Sequence, residues 1–245
     1  MLDSMLITCF YDIYCDTSRF QTYFDLFLPL AHSGIPIVLF VDPSDLPRFA
    51  NLPFTVKVVA APLADFELYQ MAMAYSRDLP NDRNKDKDIK EFYSLMNTKI
   101  EFVKRASELP DLPQDSTFIW IDFGILKIIK NKERIILKLK EIHLKPISKM
   151  KIPGCWSTGR GFSVESINWR FCGGFFAMPK SYISTFFEHS KNVLRDFCTL
   201  SQYKLTWETN VWAIIESCAE KHNMDWYFAD HNDTMILNID YALPK

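Results

Sequence analysis

A run of apolar residues closed by a single acid sets the first constraint on this chain. Residues 116–130 read STFIWIDFGILKIIK, with Asp122 directly after Phe118, Ile119, Trp120 and Ile121, and Gly124 two positions on. A strand whose consecutive residues are all apolar has no face to offer water, so it belongs in a sheet covered on both sides. A carboxylate in such surroundings is costly unless something compensates it. Asp122 therefore either faces a ligand at the strand's end, caps the following turn, or pairs with a buried lysine.

The flanking segments set the fold class. MLITCFY (5–11), IPIVLFVD (35–42) and FTVKVVAA (54–61) read as strands. Between the first two, SRFQTYFDLFLPLAH (18–32) repeats apolar residues at helical spacing, with Ser18 as the expected N-cap and Gly34 past its end. Strands alternating with helices predict an α/β fold with a largely parallel sheet. Residues 89–107 place Ile89, Phe92, Tyr93, Met96, Ile100 and Val103 on one helical face, with Lys99 at its edge. An LPDLP turn (109–113) then leads into the Asp122 strand. The lysine-rich stretch 127–151 carries Ile135, Ile136, Leu139 and Ile142 at helical spacing. It reads as a helix with a solvated basic face, or as an attractor of a phosphate-bearing ligand. RFCGGFFAMPK (170–180), helices near 181–198 and 206–220, and a strand DWYFAD (225–230) complete the chain. No repeat or low-complexity linker divides it.

Composition removes several functions. A net charge of −2 gives no reason to expect nucleic acid or an anionic membrane as partner. The N-terminus lacks a basic region, and no apolar stretch approaches the ~20 residues of a membrane span. The six cysteines form no C-x-x-C and no metal-ligand spacing, so reduced thiols and a cytoplasmic location are expected. With only seven glycines there is no G-x-G-x-x-G and no Walker loop. The DFG at 122–124 lacks the other kinase signatures, and no triad-hydrolase or zinc-protease motif is present. A bound nucleotide's phosphates would have to be held by a metal or by scattered cationic side chains. Of the histidines, only His231, in ADHND, stands in a ligand-like setting.

Taken together, EFYSLMNTKIEFVKRA, FIWIDFGI, CGGFFAMPK, LTWETNVWAIIE and YFADHNDTMILN resemble the HtrL/YibB-like family of glycosyltransferases, related to the GT-A fold. The resemblance runs over most of the chain from about residue 6. It implies an α/β three-layer GT-A-like sandwich around a mostly parallel sheet, in a single domain over residues 1–245. A nucleotide-binding half (about 5–130) would precede an acceptor-side half (about 131–245). The implied reaction moves a sugar from a nucleotide-diphosphate sugar to a glycan or other hydroxyl acceptor. A nucleotidyltransferase of related fold, or a catalytically degenerate member that binds carbohydrate or protein, are the alternatives.

The resemblance also implies roles for particular residues. GT-A enzymes place a D-x-D motif at the end of a central strand to hold Mn²⁺ or Mg²⁺ and the sugar nucleotide. Asp122 matches the first acid, whereas Gly124 stands in place of the second. A divalent cation would need further oxygen or nitrogen ligands, from His231, Asp230 or Asp233. Tyr11 and Asp12 match the region that meets the nucleotide base, although YDIYCD lacks the glycine of the family pattern there. Lys99 resembles a donor-contacting position, suited to a diphosphate; by its spacing alone it is equally a lysine lying along an apolar stripe. Gly173 and Gly174 would allow close approach of a sugar, or form a bulge. Glu208, in the first turn of a helix that Thr206 would cap, is expected either to face the acceptor as general base or to complement the helix dipole. Trp207 and Trp212 would wall the acceptor site unless packed in the core. The expected catalytic pair is Asp122 and Glu208.

Overall fold

The apolar strands expected from the sequence pair side by side in the computed structural model, which describes residues 4–109, 116–157, 160–161, 163–218 and 223–241. The first half contains β1 (Ser4–Phe10), α1 (Thr17–Ala31), β2 (Ile37–Val41), β3 (Val56–Ala60), α2 (Glu67–Met73), α3 (Lys90–Asn97), α4 (Lys99–Ser107) and β4 (Thr117–Ile121). The second contains α5 (Lys132–His143), β5 (Met150–Gly154), β6 (Phe175–Pro179), α6 (Lys180–Thr199), α7 (Glu208–Cys218), β7 (Met224–Phe228) and α8 (Thr234–Leu237). The LPDLP turn lies, from residue 110 on, outside the described residues.

The seven strands form one sheet in the order β3-β2-β1-β4-β6-β5-β7. All run parallel except β6, which is antiparallel to both β4 and β5. Alternate residues of each strand feed two cores. Met5, Ile7, Phe118 and Trp120 pack with residues of α2, α3, α4, α6 and α7, whereas Leu6, Ile119 and Ile121 pack with residues of α1, α5 and α8. This is an α/β three-layer sandwich, and it explains why β4 is buried at every position.

Local chemistry departs from the expected pattern at three points. The N-cap of α1 is Asp16, whose carboxylate accepts from Ser18 N at 3.0 Å, so Ser18 is inside the helix. The helix expected over 89–107 is two helices meeting at Thr98, whose hydroxyl donates to Ser94 O at 2.7 Å. A threonine bonding back to the preceding turn competes with straight helix propagation. As a result Lys99 starts α4 and turns inward. Strand β5 occupies a stretch that the lysine pattern had assigned to helix or loop.

The second half is pinned by a buried ion pair. Arg170, 3% exposed, donates from Nε and Nη2 to the two oxygens of Glu216 at 2.9 and 2.7 Å. Its Nη1 donates to Trp156 O, and its plane lies over Phe171 and Trp226. Replacing Arg170 by Met would strand Glu216 as an unpaired buried charge. Urea unfolding of the Arg170→Met chain is expected to show a loss of about 3–5 kcal/mol. Arg170→Lys, which cannot span both oxygens, should recover only part of it.

Candidate active site

Sheet polarity gathers the chemistry at one edge. The residues following β1, β4, β5 and β7 emerge at the carboxyl edge, the usual ligand side of an open α/β sheet. Because β6 runs the other way, its start lies at that same edge: Ile121 pairs with Phe175, and Asp122 N donates to Gly174 O at 2.9 Å. These ends line a cleft of about 870 Å³, a size suited to a nucleotide-sized ligand.

On the cleft floor, the Lys99 ammonium joins two carboxylates. It donates to Glu208 Oε1 at 2.7 Å and to Gly173 O at 2.8 Å, and lies 3.0 Å from Asp122 Oδ1. Lys99 and Glu208 are each 2% exposed, whereas the Asp122 side chain is 37% exposed. Asp122 Oδ1 also accepts from Trp120 Nε1 at 2.8 Å, while Oδ2 has no hydrogen-bond partner among the described residues. The acid in the apolar strand is thus compensated by a buried lysine, and one of its oxygens remains for a ligand. Burial pulls the Lys99 pKa down, but Asp122 and Glu208 outweigh that and hold the ammonium charged. Burial pushes the Glu208 carboxyl up, opposed by Lys99.

This geometry changes the expected roles of several residues. An ammonium has three donors; Glu208 Oε1 and Gly173 O take two of Lys99's, and Asp122 Oδ1 lies 3.0 Å away as an ion-pair partner. Glu208 is buried against Lys99, and its Oε2 has no hydrogen-bond partner among the described residues. It holds Lys99 and lines the cleft beside it. Thr206 does not cap α7 with its side chain, because its hydroxyl has no partner among the described residues. The glycine at 173 is required by Glu208: a Cβ there would lie 2.1 Å from Oε1. Gly174 sits against Asp122, its Cβ position 3.4 Å from Oδ2.

The surroundings of Asp122 do not fit Mn²⁺ or Mg²⁺. A hard dication needs several oxygen ligands, yet an ammonium already occupies one oxygen of this lone carboxylate. At Gly124 a Cβ would fall 2.3 Å from Tyr23 Cδ1, leaving no room for a second acid. Among the described residues, Asp122 belongs to no cluster of three metal-ligating groups.

The remaining expected residues divide between cleft and core. Tyr11 lines the cleft, but its hydroxyl donates to Ala61 O at 2.7 Å and its ring stacks on Phe102. Asp12 also lines it and accepts from Asp16 N at 3.1 Å. In the same loop Cys15 takes φ +52°, a conformation that favours glycine. Trp207 is a wall residue, edge-on to Trp169 with centroids 4.9 Å apart. Trp212 is not: it is 1% exposed and packs on Phe176 and Phe186 in the core.

Two features of the cleft were not singled out residue by residue in the sequence, although the lysine-rich stretch 127–151 was open to attracting a phosphate-bearing ligand. Arg19, Lys87 and Lys127 line it without a carboxylate partner among the described residues, resting on the rings of Tyr14, Trp207 and Tyr23 at 4.1, 4.4 and 5.5 Å. They come from three separate segments, so no local basic motif marked them. Also lining the cleft, Cys155 meets Cys172 and His231, residues 17 and 76 positions away. The hydrogen bond with Cys172 pulls the Cys155 thiol down to about 5, against burial and with help from His231; the contact with Cys155 raises His231.

No protein-family model matches the sequence, and no curated protein matches it. Among solved structures, the chain is similar to the apo-form glycosyltransferase GlyE of Streptococcus pneumoniae TIGR4. That match has 9% identity and a TM-score of 0.39, over 93% of this chain and 45% of that one. A second GlyE structure from the same strain gives 6% identity and a TM-score of 0.37 with the same coverage. The chain spans less than half the length of those structures, at 45%, and likenesses of this size assign no activity. No helix among the described residues is long and apolar enough to cross a membrane.

The cluster makes two stability predictions. Lys99→Met leaves Glu208 buried without its cation, and urea unfolding should show a loss of about 3–5 kcal/mol. Adding Glu208→Gln should restore part of it, with a coupling above ~1 kcal/mol; purely additive losses would show that the two residues stabilise independently. Gly124→Asp, which rebuilds D-x-D on paper, should cost about 1–3 kcal/mol by overpacking. In a Tyr23→Ala background the same change should lower the melting temperature less.

Proposed function

We propose that this protein is a glycosyltransferase that moves a sugar from a nucleoside-diphosphate donor to a hydroxyl acceptor. The observation that carries the reading is the juxtaposition, in one cleft, of the free Oδ2 of Asp122 with three cations that lack carboxylate partners. Transfer forms a bond from the acceptor oxygen to the anomeric carbon and breaks the bond from that carbon to the diphosphate, which leaves with the electron pair and takes up the acceptor hydroxyl's proton directly or through solvent. Negative charge builds on the leaving diphosphate, where preorganised cations are most effective. In this reading Arg19, Lys87 and Lys127 are the cations that offset that charge, in a chain with no glycine-rich loop to do so. The aromatic walls, among them Tyr14, Trp169 and Trp207, offer faces for a base and for the C–H surface of a sugar. Asp122 Oδ2 accepts from a sugar hydroxyl. Lys99 and Glu208 are positioning residues that fix the Asp122 carboxylate.

The poor fit of a hard dication at Asp122 supports a donor site that works without added Mn²⁺ or Mg²⁺. Nucleoside-diphosphate release should therefore be unchanged when either ion is supplied. Asp122→Asn should lower the rate by about 100-fold, the scale on which one placed polar group acts. Arg19→Ala and Lys87→Ala should weaken nucleotide binding, read by thermal shift. If no nucleoside diphosphate, sugar nucleotide or triphosphate shifts the melting temperature, the reading fails. Pyrophosphate release from a triphosphate would replace it with nucleotidyl transfer.

A further inference from the structure

Three strand ends converge on the cleft wall in a way that sugar transfer does not use. Cys155 follows β5, Cys172 stands just before β6, and His231 lies just beyond β7. Backbone bonds hold this corner: Cys155 N donates to Arg170 O at 3.1 Å, Cys172 N to Pro153 O at 2.9 Å, and Ala229 N to Gly154 O at 2.9 Å. Cys155 Sγ lies 3.4 Å from Cys172 Sγ and 3.8 Å from His231 Nδ1, and one ligand atom from each of the three residues lies within 4.8 Å of the others.

Those separations have a chemical meaning. A tetrahedral zinc ion with Zn–S of about 2.3 Å and Zn–N of about 2.0–2.1 Å spaces its ligand atoms roughly 3.6–3.8 Å apart. The two measured edges depart from that by only a few tenths of an ångström. A disulfide would need the sulfurs at about 2.05 Å and would give the imidazole no part. Cys172 is buried at the base of the group, while Cys155 and His231 are half-buried and line the cleft. Asp230 Oδ1, 3.6 Å from His231 Nδ1, adds negative charge that favours a dication. Two thiolates and an imidazole select zinc over magnesium or manganese.

We propose that Cys155, Cys172 and His231 bind a zinc ion, with a fourth coordination position open to the cleft. Three protein ligands with one open position is the pattern of zinc sites that engage water or substrate. The fourth ligand would be water or an oxygen of the molecule in the cleft. The ion would sit on the wall formed by β5, β6 and β7, apart from the Lys99-bound Asp122.

The test is metal titration of the full chain, reduced and stripped with a chelator, with no donor or acceptor present. Co²⁺ is expected to bind at one equivalent, with a near-ultraviolet thiolate-to-metal band and the visible bands of tetrahedral cobalt, and Zn²⁺ should displace it. Cys155→Ser and His231→Ala alter half-buried residues, and each should weaken binding by more than about 100-fold, beyond the loss typical of a ligand's supporting neighbours. Circular dichroism matching the wild type would show that both variants fold. Cys198→Ser and Cys218→Ser should bind as the wild type does. Absence of the thiolate band, or its persistence in folded Cys155→Ser or His231→Ala, would overturn the proposal. Failure of sugar transfer would not, because the readout is binding alone.

Discussion

The Lys99 ammonium is the contact on which the rest of the cleft depends. It ties the first residue of α4 to the end of β4, the start of α7 and the backbone just before β6. Four chain segments from both halves of the sequence are thereby joined at one buried point. A lysine there is sustained only because two carboxylates and a carbonyl surround it, and each carboxylate is tolerated only because of the lysine. The break at Thr98 is part of the same arrangement, since a continuous helix would have left Lys99 along the apolar stripe. Gly173 follows too, because any side chain at that position would strike Glu208.

The single antiparallel strand has the second-largest consequence. With β6 reversed, its beginning faces the same edge as the ends of β4 and β5. Cys172, Gly173 and Gly174, adjacent in sequence, therefore serve two different walls. Cys172 turns to Cys155, while Gly173 and Gly174 pack on the Lys99 cluster. Arg170, two residues earlier, locks the segment through Glu216 and holds Trp156 in the cleft wall.

Much of the fold was legible in the sequence, because continuous apolar strands and 3.6-residue stripes report burial directly. The strands near β1, β2, β3, β4 and β7 and most of the helices follow from that pattern. Strand β5 does not: its MKIPG carries a lysine and a proline and follows a lysine-rich helix. Asp122 was legible as an acid needing a partner, and a buried lysine was among the partners its setting suggested. That the partner is Lys99 depended on a one-residue helix break set by a threonine hydroxyl. Trp207 and Trp212 have the same composition signal, and only the turn of α7 decides that one lines the cleft and the other fills the core. Arg19, Lys87 and Lys127 share no local motif, and Cys155 and His231 meet only through strand order.

The two walls of the cleft impose opposite chemical preferences. At Asp122 a resident ammonium discourages a second cation, and the crowding of Gly124 by Tyr23 removes the site for another acid. Lys99 instead supplies a positive charge 3.0 Å from Asp122 Oδ1. At Cys155 the donors are soft, and the Asp230 carboxylate lies 3.6 Å from His231 Nδ1. A ligand in the cleft would therefore meet both fixed ammonium and guanidinium charges and thiol and imidazole donors. Charge placement of this kind discriminates by what each wall repels as much as by what it attracts.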